Sequence, residues 1–464
     1  MGARWVRAAG WAAALALGGL GGAREASAAE PPSRALDPKA PADTVFASKS
    51  ADGLAYLWRA PQHYDAEKGA GLTVILHGSN LTRAWGFANH DKSTFRPDDV
   101  VLCPDGTTPN GNGGFNFLGE AKDAKRLHAL LEEVRRVFRV RATFFYGHSQ
   151  GSFFALYHAG EFPDDVDGVV AHASGLWTWT KVGKHGHGKA IVLMHGTQDP
   201  VVPFVQSLGA LSALREAGYP MVRLRALEGW NHWPAEHNAA GGTPHTSQQL
   251  AWVEGMTTSD PGRLEACLAV LTDVKDKVEH DWGALASLAR RAASAPFATA
   301  ATKARAQKAV EVVDALVAKH AEALAAIKPG AAADGRAWMA HLPLFLRAFA
   351  GVPACDTVAT AWAATLDDHR DRGVAHLKKY YASRAKDPAA AFEEGVAATR
   401  EGFLWCEVQD RELRETLVGW QKDAKKLKLG KKALKDFDAV KGLDEAWKDG
   451  WKAFESLCKA AGDV

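Results

Sequence analysis

The sequence predicts an α/β fold in which a mostly parallel sheet, covered by helices on both faces, is followed by an all-α region. Short apolar runs alternate with longer amphipathic segments up to about residue 258, and no convincing strand pattern follows. Strands that are apolar throughout are typical of parallel sheets buried on both faces. The predicted strands span residues 54–58, 72–76, 100–103, 142–146, 168–173, 190–195 and 222–227.

Helices are predicted wherever apolar residues recur with a 3.6-residue period. Between the strands this pattern covers residues 119–138, 149–160, 204–217 and 246–253. Later in the chain, alanine-rich charged segments with the same period cover 263–278, 302–327, 336–349, 357–368, 388–403 and 444–460. We therefore expect an α/β domain at 44–258 and a helical domain of unknown role at 259–464.

The first 29 residues have the features of a secretory signal peptide. Arg4 and Arg7 precede an apolar run at 8–20, and Ala26-Ser27-Ala28 matches a small-residue cleavage site. An uncleaved membrane anchor is the less favoured alternative, because the apolar run is short for a membrane span. We expect an exported protein, periplasmic or secreted, that has no membrane span after cleavage and starts with a flexible Pro- and Ala-rich leader at 30–43.

The overall composition is that of an ordinary globular protein, and it limits the expected partners. The chain has 464 residues, 47% of them hydrophobic, and a net charge of +2. This balance gives no reason to expect a nucleic acid partner, and it leaves the oligomeric state undetermined. An exported protein can form disulfides, so bridges among Cys267, Cys355, Cys406 and Cys458 are expected, with their pairing open.

A Gly-x-Ser-x-Gly motif lies between a predicted strand and a predicted helix. It reads Gly147-His148-Ser149-Gln150-Gly151 and follows the strand at 142–146. This context places a nucleophilic serine on a sharp turn at the start of a helix, where free N–H groups and the helix dipole favour negative charge. Ser149 is therefore the predicted catalytic nucleophile.

The other members of a Ser-His-Asp triad are expected later in the chain, acid first and histidine last. Asp199 follows the strand at 190–195, and His232 follows the strand at 222–227 between two tryptophans. His237 is the competing histidine. For the oxyanion hole we expect the backbone N–H groups of Ser79 and Gln150.

Further residues near the predicted site allow more than one interpretation. Trp177 and Trp179 follow a strand and are equally compatible with a substrate pocket and with edge packing. His185 and His187 lie in a Gly/Lys loop without a third ligand, so no metal site is expected. A serine mechanism requires no cofactor.

These motifs, together with His77-Gly78, "HGTQDPVVPF" and "GWNHWP", resemble the α/β-hydrolase superfamily. They are most similar to secreted poly(3-hydroxybutyrate) depolymerase and feruloyl esterase-like serine esterases. The resemblance covers the first domain only. It implies an exported serine hydrolase that cleaves carboxylic esters, small or polymeric, through an acyl-enzyme. The alternatives are a serine peptidase of the same fold and a binding or scaffold protein with a vestigial hydrolase domain.

Overall fold

A computed structural model gives the fold. It describes residues 31–90, 96–118, 121–183, 188–233, 244–274, 280–325, 342, 344–350, 352–402 and 411–459. Residues 46–227 contain an eight-stranded sheet with the strand order β1-β2-β4-β3-β7-β8-β9-β10. The strands are β1 (Phe46–Lys49), β2 (Ala55–Arg59), β3 (Ala70–Leu76), β4 (Asp99–Pro104), β7 (Val140–His148), β8 (Gly168–His172), β9 (Ala190–Gly196) and β10 (Met221–Leu227).

The predicted parallel sheet is confirmed, with two antiparallel pairings at one edge. β2 pairs antiparallel with both β1 and β4, and all pairings from β4 through β3 to β10 are parallel. β3, β4, β8 and β9 are buried along their whole length, as expected for strands covered on both faces. The small hairpin of β5 (Thr108–Pro109) and β6 (Phe115–Asn116) lies in the loop after β4.

Part of the segment predicted as a flexible leader is bound to the sheet. The N–H of Arg34 donates to the carbonyl of Ala47 at 3.0 Å, and the N–H of Ala47 donates to Pro32 at 3.0 Å. The indole of Trp58 also donates to the carbonyl of Arg34 at 3.0 Å. These bonds cover edge strand β1, which would otherwise expose unpaired backbone groups.

Helices connect the strands and then continue to the end of the described chain. The first group is α1 (Arg83–His90), α2 (Ala121–Val137), α3 (Gln150–Glu161), α4 (Val205–Glu216) and α5 (Pro244–Thr257). The second group is α6 (Pro261–Thr272), α7 (Trp282–Ser294), α8 (Ala300–Ala325), α9 (Pro353–Ser383), α10 (Pro388–Gly402), α11 (Arg411–Lys422) and α12 (Lys431–Lys459). A short helical stretch at 344–348 lies between α8 and α9.

The two faces of the sheet are covered by different parts of the chain. On one face, the apolar residues of α2, α3 and α4 form a core with strand residues such as Val74 and Leu193. On the other, α5 packs on the strands, and α6, α7 and α8 extend the same apolar cluster. Helices after residue 258 therefore share a continuous core with the sheet.

A third core belongs to the helical region alone. It contains the end of α9, α10, α11 and the start of α12, with Phe392 and Leu417 fully buried. α9 and α12 connect this core to the one on the sheet. Cys355 in α9 and Phe454 in α12 belong to the sheet-side cluster, whereas the opposite ends of both helices belong to the third core.

The described cysteines do not form the expected disulfides. Cys103, Cys267, Cys355 and Cys458 are buried free thiols, and Cys406 lies outside the described residues. Burial raises the pKa of Cys267 and Cys355 to about 12, so both are unreactive apolar side chains. Within the described ranges, no helix combines the length and apolar character that a membrane crossing requires.

Candidate active site

Ser149 occupies a strained turn between β7 and α3. Its backbone dihedral angles are φ 52° and ψ −123°, and φ values in this range are unfavourable for a residue with a side chain. The N–H of Ser149 donates to the carbonyl of His172 at 2.9 Å, which holds the turn against the end of β8. Gln150 is the first residue of α3, so its N–H has no acceptor within the helix.

The two glycines of the motif are required because other backbone segments approach them closely. A Cβ atom at Gly151 would lie 2.2 Å from the carbonyl oxygen of Leu76. A Cβ atom at Gly147 would lie 2.6 Å from the carbonyl oxygen of Gly151. Both distances are far below van der Waals contact. The turn can therefore pack against the end of β3 only when these positions lack side chains.

Asp199 and His232 are joined by a hydrogen bond, although they come from the loops after different strands. Nδ1 of His232 lies 2.7 Å from Oδ2 of Asp199, and the histidine is only 2% exposed. Oδ1 of Asp199 accepts the N–H groups of Val201 and Val202, each at 2.8 Å. A carboxylate oxygen only accepts, so the proton of His232 is on Nδ1 and its Nε2 has the free lone pair.

A second histidine contacts the same carboxylate. Nε2 of His195 lies 3.2 Å from Oδ2 of Asp199 and 2.9 Å from the carbonyl of Val202. Burial alone would raise the pKa of Asp199, but its hydrogen bonds with His195 and His232, and their charge when protonated, lower that pKa far below its usual range. Asp199 is therefore ionised at any physiological pH.

His232 lies beside the strained turn. Its ring centroid is 4.8 Å from that of His148, the residue before Ser149, and 5.1 Å from that of Trp233. Trp85 stacks on His148 with ring centroids 5.1 Å apart. Among the described residues, the Ser149 hydroxyl makes no hydrogen bond. The structure thus brings Asp199 and His232 together and places the histidine next to the turn that carries Ser149. Catalytic hydrogen bonds often tighten only when substrate binds.

The loop after β3 lies against the same turn. A Cβ at Gly78 would be 3.3 Å from the Cβ of Ser149, so the backbone at 78–79 directly borders the serine. Nε2 of His77 accepts the N–H of Gly106 at 3.1 Å, and its Nδ1 donates to the carbonyl of Gly78 at 2.8 Å. Burial lowers the pKa of His77 to about 4, which keeps the ring neutral, as this bonding pattern requires.

Three asparagines fix the other end of this loop. Asn80 has a positive φ of 62°, and its Oδ1 accepts the side-chain amides of Asn110 at 2.7 Å and of Asn116 at 3.1 Å. The N–H of Asn80 donates to the carbonyl of Phe115 at 3.0 Å. Within the described chain, the N–H of the preceding Ser79 has no acceptor. The β5–β6 hairpin thus holds the loop in place.

Trp177 and Trp179 form an aromatic row that starts one turn after the serine. Phe153, whose N–H donates to the carbonyl of Ser149, stacks on Trp177 with centroids 5.7 Å apart. Trp177 stacks in turn on Trp179 at 5.5 Å, and Trp179 is 55% exposed. Trp177 is therefore a packed residue, whereas Trp179 presents an aromatic ring to solvent.

Several sequence-based expectations stay untested, and some structural residues were missed. His185, His187 and His237 lie outside the described residues. The second histidine on Asp199 was not predicted, although His195 begins the "HGTQD" segment four residues earlier. The asparagine contacts were not predicted either, because they join residues 30 and 36 positions apart that have no common pattern.

Comparisons with known proteins agree with this architecture. A family model described as Phospholipase/Carboxylesterase matches residues 120–238, which include Ser149, Asp199 and His232. No curated protein sequence matches the chain.

Solved structures that resemble this chain include two esterases and one putative peptidase. Esterase PE8 is 23% identical to this chain, and the alignment covers 37% of this chain and 90% of the esterase, with a TM-score of 0.31. A Bacillus cereus carboxylesterase is 17% identical, covering 39% and 87%, with a TM-score of 0.33. A putative dipeptidyl aminopeptidase IV from Bacteroides ovatus is 15% identical, covering 41% and 32%, with a TM-score of 0.34. The sheet has the mostly parallel architecture of an α/β-hydrolase fold, and residues 120–238 are similar to a family of phospholipases and carboxylesterases.

Proposed function

We propose that the protein is an exported serine hydrolase that cleaves carboxylic esters through an acyl-enzyme intermediate. The observation that carries this proposal is the 2.7 Å bond between Asp199 and His232 beside the strained turn of Ser149. A buried histidine oriented by an ionised carboxylate is the base that a serine nucleophile needs. The match to a phospholipase and carboxylesterase family supports esters as the substrate class.

In the proposed first step, the hydroxyl oxygen of Ser149 attacks the ester carbonyl carbon. Its proton passes to Nε2 of His232, and Asp199 stabilises the resulting imidazolium through Nδ1. The carbonyl oxygen becomes negatively charged and accepts the N–H groups of Ser79 and Gln150. The tetrahedral intermediate then collapses, the bond to the alcohol oxygen breaks, and His232 returns the proton to the leaving alcohol.

In the second step, water replaces the alcohol. His232 takes a proton from the water as it attacks the acyl carbon, and the same two N–H groups hold the new oxyanion. Collapse of this intermediate breaks the bond to Ser149, which recovers its proton from His232. Each backbone donor of this kind is typically worth about 3 kcal/mol of barrier.

Replacement of the serine tests the proposal directly. Ser149→Ala should lower the turnover of p-nitrophenyl butyrate by at least about 10³-fold, because the nucleophile is lost. A fluorophosphonate probe should label the natural protein and fail to label the variant. Ser212→Ala is the control, because the exposed Ser212 hydroxyl donates to Glu216 at 3.0 Å within α4 and not to the turn of Ser149. Equal turnover by the Ser149 variant and the natural protein would reject the assignment.

Two further measurements address the substrate and the export. An ester panel with acetyl, butyryl, feruloyl and hydroxybutyrate groups would define the acyl preference, and peptide amides would test the peptidase alternative. Trp179→Ala should raise KM most for the esters that contact the exposed ring.

For export, the mature protein recovered from outside the cytoplasm should begin at residue 29 or 30. An intact N-terminus would contradict the proposed signal peptide.

A further inference from the structure

The loop that carries His232 is attached to the helical region by an ion pair. Nε of Arg347, in the stretch at 344–348, donates to Oε1 of Glu228, the first residue after β10. The side chains are 16% and 12% exposed, so solvent screens the pair much less than a surface pair. The two residues are 119 positions apart in the chain. The contact therefore joins the region after residue 258 to the loop of the proposed catalytic base.

Glu228 also belongs to the network that holds the two active-site loops together. Its Oε2 accepts the hydroxyl of Thr197 at 3.4 Å, and that hydroxyl oxygen accepts the N–H of Gly229 at 3.0 Å. The N–H of Gln198 donates to the carbonyl of Trp230 at 3.0 Å. The loop of Asp199 and the loop of His232 are thus bonded to each other one to four residues from the Asp199–His232 bond.

Strand β10, which precedes this loop, makes a second contact with the helical region. Arg223 of β10 donates to both oxygens of Asp281, at 2.5 and 2.7 Å, and Gln249 of α5 donates to the same carboxylate at 2.9 Å. Asp281 is fully buried at the start of α7. The strand is therefore held at its centre by Asp281 and at its carboxyl end by Arg347.

We propose that Arg347 is a positioning residue that sets the geometry of the His232 loop through Glu228, so that the helical region is required for full activity. This inference depends on the proposed function, since it assigns His232 the role of the base. Arg347 does not touch the reacting groups. Its effect arises because a displacement of the imidazole of about 1 Å is enough to lower the rate of proton transfer substantially.

The test compares full-length variants. Arg347→Met and Glu228→Gln should each lower kcat for p-nitrophenyl butyrate about tenfold with little change in KM. The double variant should be no worse than either single one, because both remove the same interaction. Arg347→Lys, which keeps the charge, should recover part of the activity. Arg290→Met is the matched control, since Arg290 pairs with Asp314 at 2.6 Å within the helical region.

Hydrogen exchange separates this inference from the proposed function. Amides at 228–233 should exchange faster in Arg347→Met than in Arg290→Met, whatever the substrate. If Arg347→Met fails to fold, Glu228→Gln gives the same comparison with less loss of volume. Faster exchange together with the kcat loss supports the proposal. Unchanged exchange, a kcat within twofold of the control, or additive losses in the double variant would overturn it.

Discussion

The helices after residue 258 form two groups that look alike in sequence but differ in what they pack against. α6, α7 and α8 share an apolar cluster with the sheet, whereas α10, α11 and the start of α12 surround a core of their own. The α6–α8 helices are also linked to β10 by Asp281 at the start of α7, and Arg347 follows these helices in the chain. Amphipathic periodicity shows that a helix buries one face, but it does not show which surface covers that face.

The comparison has a direct consequence for stability. Substitutions in α6–α8 should affect the fold that carries the proposed active site, and substitutions in α10 and α11 should not.

Removal of the buried Asp281 carboxylate should be the most damaging change. Asp281→Ala leaves Arg223 buried without its partner carboxylate and removes the helix cap on the N–H of Ala284. Breaking a buried ion pair in this way costs about 3–5 kcal/mol. Urea unfolding followed by esterase activity measures the loss. Asp260→Ala, which removes only the exposed cap of α6, should cost about 1 kcal/mol. Equal losses would contradict the role of Asp281 as a link to the sheet.

A pair of identical substitutions tests the two cores directly. Leu285 in α7 and Leu417 in α11 are both fully buried, the first in the sheet-side core and the second in the separate one. Either change to alanine should destabilise its own core by about 2–5 kcal/mol. Leu285→Ala should therefore shorten the half-life of esterase activity on heating. Leu417→Ala should lower the midpoint of helix melting by circular dichroism while activity survives. Parallel loss of activity in both variants would show that the cores unfold as one.

Acid should destabilise the sheet-containing part through His77. Because the pKa of His77 is lowered from 6.5 to about 4, the unfolded chain binds a proton that the folded chain does not between these values. The contribution of the neutral His77 to the free energy of unfolding is complete above pH 6.5. It is lost as the pH falls to about 4, which lowers the free energy of unfolding by about 3 kcal/mol. His77→Gln should show a smaller loss of unfolding free energy between pH 7 and pH 5 than the natural protein. The same loss in both proteins would contradict a neutral, buried His77.

The smallest effect is expected at the surface of the helical region. Arg290 and Asp314 form an ion pair with side chains 31% and 49% exposed. Such pairs contribute roughly 0.2–1 kcal/mol, so Arg290→Met should shift thermal unfolding by only a few degrees and leave activity unchanged. A large loss would mean that this surface is covered by something else in the folded protein.

Much of the sheet was predictable because most of its strands contain a run of apolar residues. β3, β4, β7, β9 and β10 contain all the residues predicted for them, and β8 ends at His172, one residue before its predicted end. β1 was missed because this four-residue edge strand is buried only at Phe46. α7 was also missed, although Asp281 caps its start, since the preceding residues carry no clear period. The helix predicted at 357–368 is part of the much longer α9, and residues 444–459 of the helix predicted at 444–460 belong to the longer α12.

The sequence alone determined the order of the strands along the chain and the turn at Ser149. Both depend on local patterns: apolar runs, and two glycines at positions where a Cβ would collide with backbone. Only the tertiary structure decided that Asp199 contacts two histidines, that asparagines from a distant hairpin hold the loop at Asn80, and that Arg347 reaches Glu228. Apart from His195, which lies four residues before Asp199, these contacts join residues far apart in the chain. Their partners are chosen by packing geometry, which leaves no periodic signal in the sequence.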